Sequence, residues 1–163
     1  GLRRALGHRG GPGGALSRMR RGRGGGGMSY AMGGALQEAV FARLSGDAAV
    51  AAATGGAIYD ALPRGPVPKL YVSLGAEQVR DRSAADAGLA AHDFEVSVVS
   101  DAAGFAEAKA VAGAVSEALV AADLALSRGR LLTLRFLKAR ARRVDRGRAR
   151  RIDLRFRAIV ADD

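Results

Sequence analysis

Apolar residues recur along this chain at two spacings, one typical of helices and one typical of strands. Residues 32–44 carry an apolar side chain at every fourth position, namely Met32, Leu36, Val40 and Leu44. This spacing predicts an amphipathic helix. Asp47 is placed to cap a short Ala-rich helix after it, and Asp101 is placed to cap a third helix that ends near Val120.

Alternating apolar and polar positions predict four strands. Segments 69–75 and 92–99 alternate cleanly, and the longer segments 129–142 and 149–160 form a hairpin around Asp145-Arg146-Gly147. In the last strand the expected inward residues are Ile152, Leu154, Phe156, Ala158 and Val160. In its partner the expected inward residues are Leu132, Leu134 and Phe136, followed by Leu137, Ala139 and Ala141.

The change of phase between Phe136 and Leu137 predicts a β-bulge. The order helix, helix, strand, strand, helix, strand, strand predicts an α+β fold. We expect a mainly antiparallel sheet of about four strands, with two or three helices packed on one face.

The N-terminal segment has a composition unlike the rest of the chain. Residues 1–27 contain eleven of the 23 glycines and have no apolar periodicity, so we expect them to be disordered. The stretch RGRGGGGMSY, residues 21–30, reads like a ribosome-binding site translated in frame before a start codon. We therefore expect translation to begin at Met28, and residues 28–163 to form a single domain.

Charge is unevenly distributed along the chain, whose net charge is +10. Residues 28–127 have a net charge of −6, whereas residues 128–157 have a net charge of +11. A basic segment of this kind favours contact with phosphate groups or with an acidic protein surface.

Candidate chemistry for catalysis is sparse. The chain has no cysteine and two histidines, of which His92 stands alone at a strand start. No nucleophile-elbow motif and no Walker-type motif occurs. No apolar run approaches the roughly 18 residues that a membrane span requires. We expect no enzyme activity, no catalytic residue, no metal site and no cofactor.

Candidate contact residues lie in two polar segments. The segment RARRVDRGRARR at the hairpin holds seven arginines and one aspartate, and nucleic acid or an acidic protein surface both fit it. Its arginines are Arg140, Arg142, Arg143, Arg146, Arg148, Arg150 and Arg151. The loop at 80–90 adds Arg80, Asp81 and Arg82. Asp93 and Glu95 point outward from one strand and are expected to pair with Arg155 or Arg157.

Several stretches resemble a family of small proteins encoded among the head–tail genes of siphophages and gene transfer agents. They are ALQEAVFARLSGDAAVAA, IYDALPRGPVPKLYVSLGAEQVRDRS, FEVSVVSDAAGFAEAKAVAGAVSEAL and RLLTLRFLKARARRVDRGRARRIDLRFRAIV. This family is similar to the tail terminators. The Arg- and Ala-rich composition is typical of an alphaproteobacterial gene transfer agent.

The resemblance implies a structural protein of a phage-like particle, made in the bacterial cytoplasm and located in the tail or neck. Such a protein forms a hexameric ring that terminates the tail tube and joins it to the head. Its partners would be further copies of itself, the tail tube protein and a neck or stopper protein. DNA would pass through the ring without sequence specificity, and no membrane would be involved. The alternative interpretation is a small basic nucleic-acid-binding module.

Overall fold

Three helices lie against one face of a five-stranded sheet in the described residues. The computed structural model describes residues 31–81, 88–120 and 123–162. The predicted disorder of residues 1–27 and the candidate contact residue Arg82 therefore fall outside the described residues. None of the described helices is long and apolar enough to cross a membrane.

The sheet is mixed but mainly antiparallel. Its strands are β1 Ile58–Tyr59, β2 Leu70–Asp81, β3 Leu89–Ser100, β4 Arg130–Val144 and β5 Ala149–Ala161. They lie in the order β1-β2-β3-β5-β4, with β1 parallel to β2 and the other pairs antiparallel. The predicted α+β class is confirmed. The described residues form five strands and not four, because the short segment Ile58–Tyr59 pairs with Val72 and Ser73.

The first two helices follow the predicted pattern. They are α1 Ala31–Gly46 and α2 Ala48–Thr54. Asp47 caps α2 by accepting a hydrogen bond from the Val50 amide at 2.9 Å, which satisfies one of the amides that a helix start leaves free. The residue that caps the end of α2 is Gly55, whose φ is 67°. Glycine adopts this conformation without steric cost.

The predicted cap of the third helix, α3 Ala106–Val120, is wrong. The Asp101 amide donates to the Lys69 carbonyl at 3.0 Å, so this residue still belongs to the edge of the sheet. Ser100 makes the following turn, where its hydroxyl accepts from the Ala102 amide at 3.0 Å and donates to Glu107 at 2.6 Å. The helix begins after that turn because these bonds hold the chain in a non-helical path.

The core lies between the helices and the inner faces of β3 and β5. Met32, Leu36, Val40 and Leu44 of α1 are all buried, as the spacing predicted. Along β5 every second residue is buried, and these are Ile152, Leu154, Phe156, Ala158 and Val160. Burial of this alternating set directs the other face of the same strand, which is rich in arginine, away from the helices.

Two residues of β4 that the pattern predicted to be inward are exposed. Phe136 faces the helix side as predicted, opposite the buried Phe156, but it is not covered there. The orientation predicted for Leu132 is wrong. Leu132 is 40% exposed and Phe136 is 43% exposed. β4 is an edge strand, so the helices that cover β3 and β5 leave much of its surface exposed to solvent. Leu132 is also the extra residue of a bulge between Leu131 and Thr133, which turns it to the outer face. The predicted bulge after Phe136 is present, as a register shift between Phe136 and Lys138.

Candidate interaction surface

The outer face of the sheet, opposite the helices, carries cross-strand ion pairs. Arg157 makes a two-pronged contact with Asp93, with N–O distances of 2.7 and 2.9 Å. Arg155 donates to Glu95 at 2.6 Å. The two pairs are directly opposite each other in the β3–β5 register, so the alternation that buries the apolar face also aligns these charges. The two acids are thus occupied within the chain.

A second group of charges surrounds Asp153. Its carboxylate accepts hydrogen bonds from the Ser97 hydroxyl at 2.6 Å, from Arg151 at 2.9 Å and from Arg142 at 3.3 Å. Burial alone would raise the pKa of Asp153, but these hydrogen bonds and the charge of Arg151 outweigh burial and hold the pKa below its usual value of 3.8. The group ties β3, β4 and β5 together on the outer face.

This group predicts a pH-dependent stability. A carboxyl whose pKa is lower in the folded state stabilises the fold above the unfolded-state pKa of about 3.9, and the effect is lost as pH falls through the lower folded-state value. We expect urea-unfolding midpoints of Asp153→Asn to fall less between pH 5 and pH 3 than those of the parent. Asp145→Asn, at the exposed hairpin tip, is the control and should follow the parent. Parallel curves for Asp153→Asn and the parent would contradict the assignment.

Arg150 lies inside the protein, unlike most of the candidate arginines. It is 9% exposed and donates to the Gly147 carbonyl at 2.8 Å and to the Ala103 carbonyl. Its guanidinium carbon is 5.6 Å from the centre of the Phe105 ring, within reach of a cation–π contact. Arg150 therefore connects the base of the hairpin to the loop before α3. It is not part of the exposed contact surface.

The turn at the hairpin tip has left-handed backbone conformations and is held by hydrogen bonds. Asp145 and Arg146 have φ values of 55° and 57°, the left-handed conformation that suits a tight hairpin and that aspartate tolerates better than arginine. The Gly147 amide donates to the Val144 carbonyl at 3.1 Å. Arg148 pairs with Asp145 at 3.0 Å. The turn therefore presents the exposed Arg146 at the end of the β4–β5 hairpin.

Several exposed cations have no ion pair within the described residues. They are Arg135, Lys138, Arg140, Arg143 and Arg146. Four of them lie on β4 and one on the turn, so positive charge is concentrated along one edge of the sheet. Arg80 and Asp81 are the last two residues of β2, at the far end of a different strand. The structure thus separates the two segments that the sequence grouped as candidate contacts.

His92 is buried in the core and is not alone. Its side chain has no exposed surface, and its Nδ1 is 3.0 Å from the Glu77 carboxylate. The described residues contain no cluster of three or more groups that could hold a metal ion. Both His92 and Arg150 fall in the buried phase of their strands, two residues before Phe94 and Ile152. Extending the alternation backward by one step places both residues on the inward side of their strands, although only contacts with distant segments show that these positions are covered.

Comparisons with known proteins agree with the fold. The family model described as "Tail completion protein gp17" matches residues 38–161. A solved chain from a structure described as "Virion of native gene transfer agent (GTA) particle" is 59% identical, with a TM-score of 0.77. The match covers 82% of this chain and 99% of that chain. No curated protein matches.

Proposed function

The chain belongs to the family of gp17-type tail completion proteins, as its motifs indicated, and we propose that it closes the tail of a gene transfer agent particle as a ring of identical subunits. Members of this family are structural proteins of virion tails. The observation that carries the proposal is the 59% identity over 99% of a chain from such a particle.

A ring sets a requirement that this surface can meet. Each subunit of a closed ring uses two different patches, one for each neighbour. Here one edge of the sheet carries the unpaired cations of β4, whereas the exposed acids Glu38 and Asp60 line a groove beside α1 and β1 at the other edge. Opposite charges on the two sides of one subunit favour head-to-tail association and disfavour symmetric pairing.

The remaining faces of the ring would serve the other components of the tail. We propose the tail tube protein on one face, a neck or stopper protein on the opposite face, and six subunits in the ring. DNA would pass through the opening without sequence-specific contacts. We propose no cofactor and no catalytic step, because members of this family are structural proteins of virion tails.

Charge reversal at the hairpin tests this function. Arg143→Glu with Arg146→Glu changes two exposed cations that have no ion pair within the described residues, so we expect an unchanged unfolding midpoint. We expect particles made with this variant to carry tails of uncontrolled length in electron micrographs. The matched control reverses two exposed cations elsewhere, Arg64→Glu and Lys109→Glu, and should leave tail length normal. Normal tails in the first variant would contradict the role of the hairpin.

The same variant distinguishes the alternative function. The unpaired cations of β4 also favour contact with DNA phosphates, which would give binding that weakens steeply with salt. A nucleic-acid-binding module would lose this DNA binding on Arg143→Glu with Arg146→Glu, whereas tail length would not change. A tail component would show the reverse result.

A further inference from the structure

The outer edge of β4 is long and has no strand partner within the described chain. β4 spans 15 residues, Arg130–Val144, and pairs with β5 alone. An exposed strand edge presents unpaired amides and carbonyls and is a template for another strand. Two β4 edges placed side by side would bring the cations Arg135, Lys138 and Arg140 against their own copies. Like-charge repulsion therefore disfavours pairing of β4 with itself.

The opposite edge of the sheet is incomplete. β1 has two residues and pairs with Val72 and Ser73, although β2 has 12 residues. Much of the β2 edge therefore has no strand partner within the described residues. Two exposed acids flank this edge, Glu38 on α1 and Asp60 directly after β1. On the side of this edge that lies next to α1, the charge is thus opposite to that of β4.

A groove lies between α1 and the end of β1. Its lining includes Glu38, the half-buried ring of Phe41, the exposed Ala42 and Asp60. Asp60 accepts a hydrogen bond from Gln37, which holds its carboxylate at the mouth of the groove. The groove therefore combines an apolar floor with an acidic rim.

β4 carries apolar and basic side chains on its helix-facing side. This composition is complementary to the apolar and acidic lining of the groove. Phe136, Ala139 and Arg143 are all exposed and pair with buried residues of β5 in the register, so they share that side. The Phe136 ring stands edge-on against the buried ring of Phe156, with centroids 5.8 Å apart. An aromatic side chain that is exposed yet held in one orientation is a good anchor for an interface.

We propose that β4 of one subunit docks against the β1 edge and the α1 groove of the next copy, with Phe136 on Phe41 and Arg143 beside Glu38 and Asp60. The sheet then continues from one subunit into its neighbour. The two edges lie at opposite ends of one sheet, so the contact is head-to-tail and repeats around a ring. This contact rests on the proposed ring and assigns the residues that close it.

Cross-linking between exposed alanines tests the contact. The chain has no cysteine, so Ala42→Cys with Ala139→Cys introduces the two thiols of the protein, one on each side of the proposed contact. A short bifunctional maleimide should convert the assembled protein into a ladder of covalent oligomers that ends at the size of the ring. The control pair, Ala49→Cys with Ala139→Cys, moves one thiol to the exposed side of α2. We expect the control yield to be lower by more than about tenfold, because its thiols are not held close together.

The outcomes separate this contact from the ring itself. Rings in electron micrographs without a cross-linked ladder would overturn the contact and leave the proposed function intact. Dimers from Ala139→Cys alone would show β4 against β4 and would also overturn the contact. Neither rings nor oligomers at any concentration would overturn the contact and the ring together. Glu38→Arg should abolish the ladder, and adding Arg143→Glu to it should restore the ladder.

Discussion

Phe156→Ala is expected to lower the free energy of unfolding by about 3–5 kcal/mol, the range for truncating a large aromatic side chain in a core. Phe156 has no exposed surface and lies at the centre of β5. Its ring stacks on Phe94 with centroids 5.5 Å apart and meets the edge of Phe136 at 5.8 Å. Truncation removes both ring contacts and leaves a cavity between β5 and the helices. Urea denaturation followed by circular dichroism measures the loss.

Phe136→Ala is the matched control for this prediction. Phe136 is 43% exposed, so its truncation should cost only about 1 kcal/mol because less apolar surface returns to water. The same variant should reduce assembly, since it removes the proposed anchor between subunits. Similar losses of stability in the two variants would contradict the burial of Phe156 and the exposure of Phe136.

Arg150→Met is expected to lower the free energy of unfolding by about 1–3 kcal/mol, the cost of leaving buried polar groups without their partners. Methionine retains much of the apolar stem of arginine but cannot donate to the carbonyls of Gly147 and Ala103. The turn at the hairpin tip and the loop before α3 would then lose their connection. Amide hydrogen exchange should accelerate at both segments, while the middle of β5 stays protected.

Arg148→Ala is the matched control for Arg150→Met. The Arg148 side chain is 69% exposed and pairs with an equally accessible Asp145, and exposed ion pairs of this kind contribute little. We expect a change within about 0.5 kcal/mol. Equal effects of Arg148→Ala and Arg150→Met would contradict the interior role of Arg150.

The strands at the centre of the sheet could be predicted from the sequence because both of their neighbours are in the sheet. Alternation in β5 identified its buried set. In the edge strand β4 the phase change after Phe136 identified a bulge. The class of fold and the capping of α2 by Asp47 followed from equally local signals. Local spacing determines these features because hydrogen bonding and side-chain direction have fixed periods in helices and strands.

The sequence was less informative about which arginines form the candidate surface. The position of a charged residue in the sequence does not show whether its side chain has an ion-pair or hydrogen-bond partner. Arg142, Arg146 and Arg150 look alike in the sequence. In the structure Arg142 bonds to Asp153, Arg150 fills a buried site, and Arg146 is exposed at the turn. The partners that distinguish them, Asp153 for Arg142 and Ala103 for Arg150, lie 11 and 47 residues away in the sequence. The family resemblance, by contrast, depended on stretches of contiguous residues and was visible at once.

The sequence by itself determined the three helices, four of the five strands of the described residues, the buried face of β5, and membership of the tail completion family. Only the tertiary structure decided that β4 is an edge strand, that Phe136 is exposed and that Arg150 is not. An alternating pattern states which side of a strand is apolar. It does not state whether a helix covers that side, because coverage depends on the order of strands in the sheet and on contacts between distant segments.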